Sequence, residues 1–146
     1  ELVAPSRKAN MFVQEGDAAV DRLRYPAPIK GFREQAVMHE MVPDQDGMVT
    51  MMLANRGFEG GQGLGLYYRY RLAELPNIAQ WIMVKAGTYL TAFEPHNCPM
   101  WGRARARESG TLPFLAPGEQ REYLFEVGIL ANNQEIDAMA AQVIVP

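Results

Sequence analysis

From residue 34 onward strand-like apolar runs, several of them alternating with polar residues, are cut by proline and glycine clusters. EQAVMHEMV (34–42) and GMVTMMLAN (47–55) each read as a strand. The intervening PDQDG is a cluster of the kind that closes hairpins, so the two runs are expected to pair as a β-hairpin. In the next run Leu66, Tyr68, Tyr70 and Leu72 fall on one face and Tyr67, Arg69 and Arg71 on the other, the period of a half-buried strand. IAQWIMVK (78–85) and TYLTAFE (88–94) are rich in β-branched and aromatic residues and flank Ala86-Gly87, which predicts a second, tight hairpin. REYLFEVGIL (121–130) alternates Tyr123, Phe125, Val127 and Ile129 against Glu122 and Glu126, after the turn signal APGEQ.

The pattern fades outside these runs. Residues 1–31 carry scattered charges with Pro5, Gly16, Pro26, Pro28 and Gly31, and read as an irregular opening segment with at most a turn of helix at 17–24. Short helices are expected at 101–108 and at 133–141, the second capped by Asn133. Five or six short strands joined by turns predict a mainly β chain, an antiparallel β-sandwich or part of one, with helices at its periphery.

Length and charge narrow the classes of function. A chain of 146 residues, 48% hydrophobic and 21% charged, suits one core and a single domain over 1–146. A net charge of -3 and RARAR followed at once by Glu108 argue against a nucleic-acid partner. No apolar run is long enough for a membrane helix, so no membrane is expected. Cys98 is the single cysteine, which excludes an internal disulfide and points to a reducing, cytoplasmic setting. With two histidines and one cysteine no zinc-type spacing occurs, and neither a metal nor another cofactor is expected.

The chemistry concentrates at FEPHNCPMWGR (93–103). Glu94 ends an alternating strand on the face of Thr88, Leu90 and Ala92, where a carboxylate is costly to desolvate and is suited to acid or base work; an exposed strand-end glutamate fits equally. His96 and Asn97 follow where a polar ligand's hydroxyls could be reached, although both are also ordinary turn residues. Trp81, Met83 and Lys85 share one strand face. A tryptophan beside a lysine is a common floor for a sugar pocket, and core packing explains the same indole. His39 shares its side of the strand with Val37 and Met41, the usual place of a hydrogen-bonded core histidine.

These residues resemble a known family. LPNIAQWIMVKAG, then YLTAFEPHNCPMWGRARARESGTLPFLAPGEQREYLFEVGIL, with EQAVMHE and DQDG upstream, are similar to the C-terminal portion of the aldose 1-epimerase (galactose mutarotase) superfamily, within its bacterial epimerase-like branch. The resemblance covers nearly the whole chain, and its force lies in the order and spacing of the segments. It implies an antiparallel supersandwich of which this chain is a part, and a role in carbohydrate metabolism. It implies carbohydrate binding and an isomerase that interconverts sugar anomers by acid/base ring opening, with Glu94 as the base and Trp81 and His39 at substrate-contacting positions. The alternative is a non-catalytic sugar-binding or assembly module. The family's acid histidine lies upstream of LVAP, and neither His39 nor His96 fits its motif. The expected partners are therefore a small-molecule sugar and either a second copy or a missing N-terminal segment.

Overall fold

The computed structural model describes residues 1–143. Eight strands form two sheets: β1 (Leu2–Val3), β2 (Ser6–Phe12), β3 (Gln35–Met41), β4 (Met48–Asn55), β5 (Leu64–Arg71), β6 (Asn77–Lys85), β7 (Thr88–His96) and β8 (Phe125–Leu130). The first sheet runs β1-β4-β5-β8 and the second β2-β3-β6-β7, every neighbouring pair being antiparallel. The chain is a mainly β antiparallel sandwich, as the alternation predicts.

Inward residues of both sheets meet between the layers. Leu2, Val49, Met51 and Tyr70 of the first sheet pack on Met41 and Ile78 of the second, with Tyr68 edge-on to Phe93 at 5.7 Å. The sheets are offset. Val37, Ile82 and Val84 of the second sheet are covered by Val20, Tyr25 and Phe32 of the β2–β3 connection instead of by the first sheet. That connection is stitched down by Gln35, whose amide accepts from the Val20 N–H and donates to the Ala18 carbonyl. On the outer side of the first sheet, α2 (Asn133–Ala140) buries Ile136 against Met52, Ala54 and Leu130.

Several expectations are corrected. β3 and β4 do not form a hairpin. They lie in different sheets, and residues 43–47 arch across the core, with Asp44 accepting from the Asp46 and Met48 N–H groups. Both strands bury apolar residues, and an acid-glycine turn closes an arch between sheets as readily as a hairpin within one. Residues 1–31 are not wholly irregular, because β1 and β2 fall there. β2 is an edge strand whose outward positions are polar apart from Phe12 at its end, so the inward Ala9 and Met11 carry most of its apolar signal. The stretch 17–24 contains no helix; Asp21 instead caps a bend, accepting from Leu23 and Arg24. The cap of α2 is Asn132, whose side chain accepts from the Glu135 N–H, while Asn133 reaches back to the Gly61 carbonyl. β8 begins only at Phe125, because its partner β5 ends at Arg71, opposite the start of β4.

Tyr70 is fully buried and its hydroxyl has no partner among the described residues. Burial pushes its phenol far above the usual range. A buried, unpaired hydroxyl costs desolvation free energy, so Tyr70→Phe is expected to raise stability by about 1 kcal/mol. Urea unfolding midpoints check this, and a loss of the same size would show that the hydroxyl is satisfied in solution.

Candidate functional site

The outward face of the second sheet carries most of the candidate residues. Cross-strand register aligns Phe12, Ala36, Trp81 and Ala92 in one row across the four strands, and Asn10, Met38, Ala79 and Glu94 in the next. Three of these eight positions are alanines, two of them adjoining Trp81, and short side chains beside a large ring leave a trough. A cavity of about 380 Å³ results, lined by Ala36, Ala79, Trp81, Glu94 and Met100. Trp81 and Glu94 are diagonal neighbours on adjacent strands, a relation that places side chains roughly 7–8 Å apart. The Trp81 Nε1–H donates to Glu34 Oε2 at 2.8 Å, which fixes the plane of the indole.

The segment after β7 forms one wall. Trp101 meets Phe12 edge-on at 5.8 Å, and the Arg105 guanidinium lies 5.4 Å from the centre of the Trp101 ring. Gly102 turns the chain with φ 88°, a conformation that suits glycine, and α1 (Arg103–Glu108) follows, anchored by the buried Ala106. His96 Nδ1 lies 2.7 Å from the Glu94 carbonyl, which can only accept, so Nδ1 carries the hydrogen and Nε2 is left over; that atom is buried without a partner. Asn97 donates to the Tyr123 hydroxyl at 2.7 Å.

The structure therefore brings Trp81 and Glu94 together, with His96 one step further along β7. Glu94 is exposed, and its carboxylate makes no hydrogen bond among the described residues. The expected desolvation is absent because, among the described residues, no layer covers this face. Pro95 does not stop the ladder: β7 runs on to His96, since it is an edge strand whose outward side needs no N–H donor. Asn97 is occupied by Tyr123. Lys85 is on the outward face with Trp81 but at the far end of β6, opposite Thr88, whereas Glu94 is opposite Ala79. Six residues of strand separate those positions, about 20 Å.

His39 is the clearest departure. It faces the core, 6% exposed, with Nδ1 3.0 Å from Ser6 Oγ and Nε2 2.9 Å from Gln80 Oε1. It is thus on the opposite side of the sheet from Glu94 and does not contribute to the trough. Burial pulls its imidazole below the ordinary value of 6.5, against the opposing effect of the Gln80 bond, and Arg22 adds to the lowering. The unfolded chain takes up this proton at a higher pH than the folded chain. The contribution to stability is therefore complete above the unfolded value and is lost as pH falls from about 6.5 through the depressed folded value. Between about pH 7.5 and 5 the wild-type unfolding midpoint is expected to fall more steeply than that of His39→Gln; parallel slopes would reject the assignment.

Sequence reasoning missed Phe12, Trp101 and Met100. Phe12 was concealed by the polar character of β2, and MWG after Cys98 was the available signal for the other two. A larger open groove of about 590 Å³ runs between the sheets at another edge, past Leu53, Leu64, Leu66 and Ile129. Most of its polar groups are already engaged: the Glu1 carboxylate by Arg56, the Tyr25 hydroxyl donating to Thr91, the Tyr89 hydroxyl donating to Pro26, and Asn55 Oδ1 accepting from the Gly57 N–H. The smaller trough holds the free carboxylate, and so it is the better candidate for chemistry. Among the described residues no group of three His, Cys, Asp or Glu side chains could hold a metal ion, and no helix is long and apolar enough to cross a membrane.

Fold and site together define a two-sheet antiparallel β-sandwich with an aromatic and carboxylate trough on an outer sheet face. The chain belongs to the family described as Domain of unknown function (DUF4432), which it matches over residues 1–129. The matched stretch takes in the trough and every strand up to the last residue of β8. No curated protein and no solved structure matches the chain.

Proposed function

We propose that the trough binds a sugar and that the protein is an aldose 1-epimerase-like isomerase, with Glu94 as general base. On this reading the two sheets are part of a mutarotase-like supersandwich. The observation that carries it is the diagonal placement of Trp81 and Glu94 over an alanine floor. The pinned indole offers an apolar face to the C–H side of a pyranose, and the adjacent free carboxylate reaches a ring hydroxyl. In the reaction Glu94 removes the proton of the anomeric hydroxyl. The bond from C1 to the ring oxygen breaks as C1 becomes a carbonyl, and the ring oxygen takes up a proton. Rotation about C1–C2 and reclosure on the other face invert the anomer. A cytoplasmic setting and a role in carbohydrate metabolism belong to the same reading, in keeping with the lone thiol.

Glu94 is the one ionisable side chain lining this cavity, so the proton for the ring oxygen must come from water or from a group outside it. That observation favours, as a second reading, a sugar-binding module without chemistry. Saturation-transfer NMR of the anomeric protons on a panel of aldoses separates the two. Accelerated exchange supports the isomerase; line broadening without exchange supports the binding module. Neither effect with any aldose rejects both.

A further inference from the structure

Building on the sugar-binding reading, we propose that the sugar carries an oxyanion, held in a second lobe of the cleft formed by His96 and Arg103. This lobe encloses about 260 Å³ and is lined by His96, Cys98, Pro99, Met100, Arg103 and Leu112 among others. Met100 also lines the trough of Trp81 and Glu94, so the two lobes adjoin across a single side chain.

Two features of the second lobe point to a negative group. Arg103 is exposed and has no acidic side chain within ion-pair distance among the described residues, a state it shares with Arg22, Arg24, Arg105 and Arg107, but it is the one of these that lines the lobe. A guanidinium matches the paired oxygens of a phosphate or carboxylate with two parallel N–H donors. His96 adds a second polar atom: its Nδ1 is committed to the Glu94 carbonyl, and its Nε2 is buried with nothing to bond. Carrying both hydrogens, the ring offers Nε2–H as a donor to an oxyanion.

The Glu94 carboxylate repels an anion from the first lobe. The charges thus set the direction in which a ligand lies, with the neutral ring on Trp81 and Glu94 and the anion towards Arg103. Glu94 and His96 are two residues apart along one strand face, about 7 Å, which suits a substituent across the ring from the anomeric carbon. A phosphate ester and a carboxylate share the required chemistry.

Isothermal titration with glucose, galactose and mannose, their 6-phosphates, glucuronate and galacturonate tests the proposal. At least one anionic sugar is expected to bind on the order of tenfold or more tightly than its neutral parent. The phosphates and the uronates identify which oxyanion is preferred. Arg103→Ala should bring that ratio close to one and Arg103→Lys should keep part of it. Arg71→Ala, on the other sheet, should leave it unchanged. Equal binding of neutral and anionic sugars, or an equal loss of both in Arg103→Ala, overturns the proposal while the sugar-binding reading stands. Inorganic phosphate binding as tightly as the sugar phosphates also overturns it, since the lobe would then be a bare anion site. Binding of none of these sugars rejects the sugar-binding reading and this proposal together.

Discussion

Glu94→Gln is expected to reduce sugar-dependent anomeric exchange by about two to four orders of magnitude, the usual contribution of a positioned general base. Glutamine keeps the size and the hydrogen-bonding reach of the side chain but cannot take the proton of the anomeric hydroxyl. The change should leave the fold alone, because Glu94 is exposed and its carboxylate holds no other part of the protein. Its strand is fixed by the backbone ladder to β6 and by inward residues such as Phe93, not by this carboxylate. A thermal unfolding midpoint equal to that of the wild type, measured beside the exchange rate by saturation transfer, separates loss of chemistry from loss of structure. Retention of the full rate would remove Glu94 from the mechanism.

Gln80→Leu is expected to destabilise the protein by about 3 kcal/mol, because it strands more than one buried polar group. Gln80 is fully buried in the middle of β6. Its Oε1 meets His39 Nε2 at 2.9 Å, and its Nε2 donates to the Arg22 carbonyl and the Tyr25 hydroxyl, both at 2.8 Å. Tyr25 donates onward to Thr91 at 3.0 Å, and Thr91 to the Trp81 carbonyl at 2.7 Å. The network therefore ties the β2–β3 connection to the strands that present Trp81 and Glu94 on their other side. Leucine matches the volume of the side chain but leaves His39, Arg22 and Tyr25 each short of a partner. Urea unfolding followed by tryptophan fluorescence measures the loss. Adding His39→Leu should recover part of it, since removing both members of a buried pair costs less than removing one. A neutral Gln80→Leu would show that water replaces the amide.

The β6–β7 hairpin was legible because everything that specifies it is local. Two alternating runs flank Ala86-Gly87, and Gly87 takes the positive φ that closes so short a loop. The face shared by Trp81, Met83 and Lys85, and that shared by Leu90, Ala92 and Glu94, were legible for the same reason. The role of PDQDG was not. Whether the chain after Asp44 folds back into its own sheet or crosses to the other depends on which partners offer open edges, and β1 and β5 compete for β4 from far along the chain. β2 was concealed by its edge position, where outward residues answer to solvent and the apolar signal shrinks to Ala9, Met11 and the terminal Phe12. His39 could be assigned to a strand face, but its bond to Gln80 joins residues that are 41 positions apart.

By itself the sequence determined the strands from β3 to β8, the side to which their residues point and the carboxylate near the end of β7, because the period of two is a property of the extended backbone and needs no partner. Apart from the β6–β7 hairpin, only the tertiary structure decided which strands adjoin. Register between neighbours set Phe12 and Ala36 in one row with Trp81 and turned His39 into the core, and packing of the segment after β7 brought Met100 to the trough and Arg103 to the lobe beside it. Those outcomes depend on ladders and packing between segments distant in the chain, and no local alternation encodes them.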